Sequence, residues 1–561
     1  MALPPLRNLL ALRVESPVEQ DRMLAILRKD RDFETAWSPT TGWVVAASRV
    51  GADDADTPRD PPLICCEGEE QVSLDIPPDR TALATVRRLD GDFTFVQLRP
   101  RGAALLVRSC GGLVPLYCHA DAGLITTRLA WAARYLRGKV VLDPLVNGIW
   151  MTASLVHPDQ RTLLQDVSIV PRGHSITLER HKCSAPEPYW TPPFPPSRLS
   201  HARFLEHAQR LRALLDQRLR RWLDPSGRNL LFLSGGVDST LLALATRRQS
   251  TPFSALSALP PDPTGRLREA SIIRRTLDAA GVPESRRHNF PLGDSIRCPR
   301  VRRDMVTHMA SPGLQQLPDL LRHESIGVAY GGEFADELFG GGDIRRTDWA
   351  AHLTPRRMLL ELLRVPGTWR DLRHWRTVRH VLPTTTYPLP RRLPRTVHTE
   401  LQAEYAEWLD RWQRRFPPDA GAGLDRAMTQ DGSLGMNWEV CSALGVRRAF
   451  PFLSRELLEL AHACHPLELM RAGRSKRLIQ QASSDLPAVP GLARRDKGDY
   501  PTDRCRADRT PLLPPESTAT VLDFSRLCDL SLLERRQLII LAGFAESVQA
   551  ERAVSRNLTA E

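Results

Sequence analysis

Six residues near the middle of the chain, Ser234-Gly235-Gly236-Val237-Asp238-Ser239, limit what it can fold into more than any other stretch. They follow a short apolar run, Asn229 to Leu233, and lead into a helical pattern beginning at Ser239. Strand, glycine-rich turn, helix is an α/β arrangement that aims free backbone N–H groups and a helix N-terminus at one point, which suits an anion. Gly235 and Gly236 let a ligand come close, and the hydroxyls of Ser234, Ser239 and Thr240 can donate to phosphate oxygens. Asp238 is out of place beside a polyphosphate unless it ligates a Mg²⁺ that bridges to the phosphates. The GxxxxGK[ST] phosphate loop carries no such carboxylate, so this loop is of another kind.

A second apolar-to-glycine transition lies about a hundred residues on, in Val328-Ala329-Tyr330-Gly331-Gly332-Glu333-Phe334-Ala335-Asp336-Glu337-Leu338-Phe339-Gly340-Gly341-Gly342. It ends in carboxylates, and Asp336 is the natural second partner for Asp238 at a Mg²⁺–polyphosphate site. Around these motifs the chain changes character. Residues up to about 180 read as short β segments, among them Gly42 to Ala47, Asp92 to Leu98, Ala103 to Arg108 and His174 to Leu178. From Ser184 to Pro196 prolines accumulate, which forbids regular ladders and predicts a linker or a surface-hugging extended segment. Phe204, Leu205, Ala208, Leu211, Leu214, Leu215, Leu219 and Trp222 then recur at helical spacing from His201 to Leu223. Asp343 to Thr399, rich in Arg, Trp, Pro and Leu, reads as an insertion, and the tail from Thr518 as helical. The expected divisions are 1–183, a linker at 184–200, a nucleotide domain at 201–517 with 343–399 inserted, and a tail at 518–561.

Composition excludes more than it proposes. With 561 residues, 42% hydrophobic and 25% charged, the chain has material for more than one core. No run is long enough to span a membrane, and Met1 to Leu12 lacks the pattern of a signal peptide, so a cytoplasmic protein without a membrane partner is expected. The ten cysteines show no CxxC pair, so neither metal-binding spacing nor a disulfide framework is expected. The net charge of +12 fits a nucleic-acid partner in principle, but nearly all of it is arginine, as arginine-biased coding gives, and no nucleic-acid partner is expected. Lys29, Lys139, Lys182, Lys476 and Lys497 are the only lysines, which gives weight to any lysine near a motif.

The first loop resembles the SGGxDS loop of the ATP-pyrophosphatase superfamily, whose members bind pyrophosphate there and transfer AMP to an oxygen of their substrate. The second resembles the GxGxDELFGG element of the asparagine synthetase family. Pro451-Phe452-Leu453, Gly473-Arg474-Ser475-Lys476-Arg477-Leu478 and Arg494-Arg495-Asp496-Lys497-Gly498-Asp499-Tyr500 are similar to that family's PFLD, SKxLLR and catalytic-lysine segments. Leu89-Asp90-Gly91-Asp92-Phe93-Thr94-Phe95, Arg108 through Tyr117 and Val170-Pro171-Arg172-Gly173-His174 resemble its glutaminase-like domain. The implied fold class is α/β. A glutaminase-like (Ntn-type), β-rich α+β domain precedes an ATP-pyrophosphatase (adenine nucleotide α-hydrolase-like) domain with a doubly wound parallel sheet. The implied site has ATP on Leu233, Ser234, Gly235, Gly236, Val237, Asp238, Ser239, Thr240, Ser257 and Gly332, Mg²⁺ on Asp238 and Asp336, and Glu333 and Lys497 as catalytic residues.

Several positions depart from the family pattern. Glutamine-dependent members begin with a nucleophilic cysteine, where this chain has Ala2, so glutamine hydrolysis by that route is impossible. β-Lactam synthetases carry a tyrosine base at the position of Glu333. The Glu-x-Arg that precedes PFLD in asparagine synthetases is replaced by Val446-Arg447-Arg448-Ala449-Phe450, and Ser454 stands for its Asp. The resemblance therefore points to the lasso-peptide cyclase branch, with a precursor core peptide as substrate and a leader peptidase as partner. Ammonia-dependent asparagine synthetase and β-lactam synthetase-like ligase are the alternatives.

Overall fold

The structure is a computed structural model, and it describes residues 6–39, 42–49, 63–66, 83, 86–87, 92–99, 102–136, 140–150, 157–191, 201–260, 263–291, 295–296, 317–340, 392–393, 397–415, 445–469, 475–494, 506–507, 548–549 and 552–554. Its N-terminal part is a mainly antiparallel sheet buried on both faces. Leu9 and Ala11 of the strand Leu6–Arg13 enter one core while Leu10 and Leu12 enter another. The neighbouring strand Trp43–Arg49 divides in the same way, with Val45 and Ala47 against Val44 and Ala46. Successive side chains point to opposite faces, so a sheet covered on both sides reads as a continuous apolar run. The other expected β segments are the strands Phe93–Arg99, Ala103–Arg108 and His174–Glu179, paired side by side.

One arginine gathers the loops of this part. Arg108, fully buried, donates from Nε to the Val114 carbonyl and from Nη1 to the Val170 carbonyl, both at 3.1 Å. A buried guanidinium needs its donors satisfied, and here main-chain oxygens do it. The proline-rich stretch is less irregular than expected. Glu187 and Pro188 pair with Ser175 and His174, and Tyr189 N donates to the Gly173 carbonyl at 2.9 Å. Proline is tolerated on such an outermost strand because the missing N–H can face away from the ladder.

The second part is a five-stranded, all-parallel sheet. Its spatial order is Arg287–Pro291, Ser254–Leu259, Asn229–Phe232, Val328–Gly331, Arg447–Ala449. Helices lie on both faces. Leu231, Ala255, Val328 and Tyr330 share a core with His201–Trp222, Val237–Arg248 and Arg455–Ala463, whereas Leu230, Leu256 and Ala329 meet Leu321 of Leu317–His323. The chain order along the sheet reverses between Asn229–Phe232 and Val328–Gly331. In open α/β sheets such a switch is where ligands bind, beyond the carboxyl ends of the strands.

The helix Thr399–Arg415 packs against the N-terminal part. Tyr405, Trp408 and Trp412 join the core of Leu145, Val146 and Ile149, and Arg161 bridges Asp143 and Glu404 at 2.7 Å each. Val548 enters the same core, and Arg552 donates to the Leu136 carbonyl. Most of the expected insertion 343–399 and of the tail from 518 lies outside the described residues. No described helix is long and apolar enough to cross a membrane.

Candidate active site at the strand-order switch

Both motifs leave the carboxyl ends of adjacent strands at the switch. The first helix begins at Val237, two residues earlier than its apolar pattern indicates, with Gly236 at its N-cap and no side chain capping it. A helix start without a side-chain cap leaves backbone N–H groups for an outside acceptor. Gly235 turns the chain at φ +72°, a conformation that strains other residues. Ser234 and Ser239 face each other, with hydroxyls 3.2 Å apart and Ser234 N donating to Ser239 Oγ at 3.2 Å. Leu233 is buried behind them and bonds through its N–H to the Leu256 carbonyl at 2.9 Å.

The second loop fits closely over this helix start. A Cβ on Gly332 would lie 2.9 Å from Asp238 Cβ and 3.1 Å from the backbone N of Ser239, so only glycine permits the approach. That approach brings Asp238 and Asp336 onto one cation, the Lys476 ammonium, which contacts Asp238 and lies 2.6 Å from Asp336 Oδ1. Burial opposes the charge on Lys476, but the two carboxylates outweigh it by charge and hydrogen bonding, and its pKa is raised. Lys476 holds a left-handed backbone (φ +57°) at the N-cap of Arg477–Ala482, and its N–H donates to the Gly340 carbonyl at 3.2 Å. Two carboxylates already arranged around a positive charge suit a hard, oxygen-preferring ion such as Mg²⁺.

Glu333 follows Gly332 in the same loop and is held by Arg448, which donates to Glu333 Oε1. Arg448 is almost wholly buried, and its guanidinium lies over Phe232 at 4.6 Å and over Phe450 at 4.8 Å. Aromatic faces stabilise a cation that has lost most of its water. Phe334, where the related motif has glycine, adopts φ +67° and packs edge-on to Phe450, with ring centres 5.6 Å apart. A left-handed non-glycine residue costs roughly 1–3 kcal/mol, and such strain clusters at functional sites.

Two other expected site residues, Thr240 and Ser257, are buried side chains. Thr240 is fully buried, and a Cβ on Gly491 would touch its hydroxyl oxygen at 2.3 Å, so it packs against that turn and is not open to a phosphate. Ser257 is buried on the neighbouring strand, with its hydroxyl unbonded among the described residues. Lys497 lies outside the described residues, just after Arg494. Arg494 grips Glu269 with two bonds of 2.6 and 2.7 Å in the core, and Glu269 borders Gly235. Ser454 caps the helix Arg455–Ala463 by accepting from Leu457 N at 3.2 Å. Asp caps a helix as well as Ser does, so this departure says nothing about the substrate.

Two residues of the site, Lys476 and Arg448, have no assigned role in the sequence reading. The scarcity of lysine that drew attention to Lys497 applies equally to Lys476. Nothing in the linear order signals Arg448, whose partner is 115 residues away. A family model described as asparagine synthase matches residues 210–535, a span that holds all of these side chains. No curated protein matches the chain.

Proposed function

The chain belongs to the asparagine synthase family, whose members form carbon–nitrogen bonds with ATP, and from that premise we propose that it closes a macrolactam in a ribosomally made lasso peptide. The observation that carries the proposal is Ala2 together with the facing carboxylates Asp238 and Asp336. A ligase that keeps its nucleotide machinery without the glutaminase nucleophile must take its amine elsewhere, and a peptide's own N-terminus supplies one. The N-terminal part then serves as a glutaminase-like (Ntn-type) scaffold without its chemistry.

In the first step an Asp or Glu side-chain carboxylate of the core peptide attacks the α-phosphorus of ATP, and pyrophosphate leaves. Asp238 and Asp336 would hold Mg²⁺, which supplies charge neutralisation on the phosphates. Backbone N–H groups at the Gly236 N-cap, with the Ser234 and Ser239 hydroxyls, hold phosphate oxygens. In the second step the peptide's N-terminal amine attacks the acyl carbon, gives up a proton to solvent, and AMP leaves. Glu333, fixed by Arg448, accepts a hydrogen bond from that amine and orients it. Lys497 neutralises the oxyanion. Holding amine and acyl group together raises their effective concentration, which is most of what such a closure needs.

The test is mass spectrometry of a lasso precursor peptide incubated with a leader peptidase, ATP, Mg²⁺ and this protein. Loss of one water from the core peptide, with equal AMP and pyrophosphate, is the expected result. Pyrophosphate release driven by free aspartate and ammonia, with the peptide unchanged, would instead establish ammonia-dependent asparagine synthesis.

A further inference from the structure

Behind the carboxylate pair, three metal-ligating side chains of different chemistry converge. His207 comes from His201–Trp222, Cys464 from the end of Arg455–Ala463, and Glu468 from the short helix Pro466–Leu469. One ligand atom of each lies within 4.8 Å of the other two. His207 Nδ1 is 2.9 Å from Glu468 Oε2 and 3.6 Å from Cys464 Sγ. The site is enclosed, since Glu468 and Cys464 are buried and His207 nearly so.

Hydrogen bonding alone accounts poorly for this cluster. The cysteine and the glutamate both meet the same ring nitrogen, which has one proton or one lone pair in the ring plane. Glu468 Oε1 is buried and finds no hydrogen-bond partner among the described residues, and such atoms are rare in native proteins. A tetrahedral ion with bonds of about 2.0 Å to nitrogen and oxygen and about 2.3 Å to sulfur holds its ligands roughly 3.3 Å (N to O) and 3.6 Å (N to S) apart. The sulfur is already at that separation, and the carboxylate is a few tenths of an ångström inside it. One imidazole, one thiolate and one carboxylate form a mixed set that favours a borderline-soft ion.

We propose that His207, Cys464 and Glu468 bind one Zn²⁺, distinct from the Mg²⁺ site at Asp238 and Asp336. The ion fastens the segment 464–469 to His201–Trp222. A Cβ on Gly340 would lie 3.1 Å from Leu469 Cβ, so the fastened segment backs the carboxylate-bearing turn. The cysteine binds as thiolate, and its proton goes to solvent when the ion enters.

The test uses the full-length, tag-free protein, stripped with a chelator and titrated with Co²⁺ in place of Zn²⁺. One equivalent binds with a thiolate-to-cobalt charge-transfer band, and Zn²⁺ displaces it. Cys464→Ser abolishes the band, while Asp238→Asn leaves it intact. No charge-transfer band in the parent protein, or a band that survives Cys464→Ser, overturns the proposal. If Cys464→Ser does not fold, X-ray absorption of the zinc-loaded parent decides. One sulfur with imidazole and oxygen supports the site, and a first shell without sulfur removes it.

Discussion

Gly332 and Lys476 are the residues whose chemistry is most exposed to a single change. A methyl group on Gly332 runs into Asp238 Cβ and the Ser239 backbone, neither of which can rotate away. Gly332→Ala is therefore expected to separate the two loops and lower pyrophosphate release about a hundredfold, the scale of a 1 Å misplacement, while the fold persists by circular dichroism. Lys476 neutralises two carboxylates, and Lys476→Met leaves them facing each other. Because its folded pKa is raised, the stability due to its charge is complete below the ordinary lysine value of 10.5 and is lost as pH rises through the folded value. Thermal unfolding should show the parent weakening above that point and Lys476→Met lacking this alkaline limb. Without nucleotide, Mg²⁺ should stabilise Lys476→Met more than the parent, since no ammonium competes for the pair. An equal thermal shift in both proteins counts against Mg²⁺ at these carboxylates.

Among the elements, the helix Arg455–Ala463 depends on its cap and Thr399–Arg415 on its aromatic face. Removing the Ser454 hydroxyl by Ser454→Ala should cost about 1 kcal/mol in urea unfolding, while Ser454→Asp should be nearly neutral and leave catalysis unchanged. Changed substrate choice in Ser454→Asp would return that position to the acceptor site. Trp408 is almost fully buried between Tyr405 and Trp412, with ring centres 5.9 and 6.1 Å away. Trp408→Ala should cost about 3–5 kcal/mol, read from the transition that unfolds the N-terminal part. The two cases differ in kind, because a cap is a local bond and the tryptophan fills space between distant segments.

At the scale of the molecule, Arg218 joins segments that the sequence keeps far apart. It bonds Asp92 at 3.3 Å and the Leu453 carbonyl at 2.6 Å, and its guanidinium lies 4.2 Å from the Trp222 ring. Asp92 is wholly buried, so Arg218→Met withdraws charge compensation from a carboxylate that water cannot reach. The expected loss is about 3–5 kcal/mol, measured by denaturant unfolding, with Arg218→Lys recovering only part of it. A loss below about 1 kcal/mol would show that Asp92 is compensated from elsewhere.

The sequence by itself determined the nucleotide half of the fold. A short apolar strand, two glycines and a helical run leave little choice locally, and Asp238 and Asp336 stand out because each follows a strand-to-glycine turn at the start of a helix. The β segments of the N-terminal part were legible for the same reason, since turn formers bound apolar runs of strand length. Tertiary structure decided what depends on distance in space. Thr240 follows Ser239 in sequence, yet the helix turns it into the core against Gly491. Arg448 reaches Glu333 because its strand lies beside Val328–Gly331 in the sheet though far along the chain, and Lys476 reaches Asp238 and Asp336 from the start of Arg477–Ala482, where its N–H bonds to the Gly340 carbonyl. Local pattern fixes which side of an element a residue occupies, and the order of strands fixes which residue it meets.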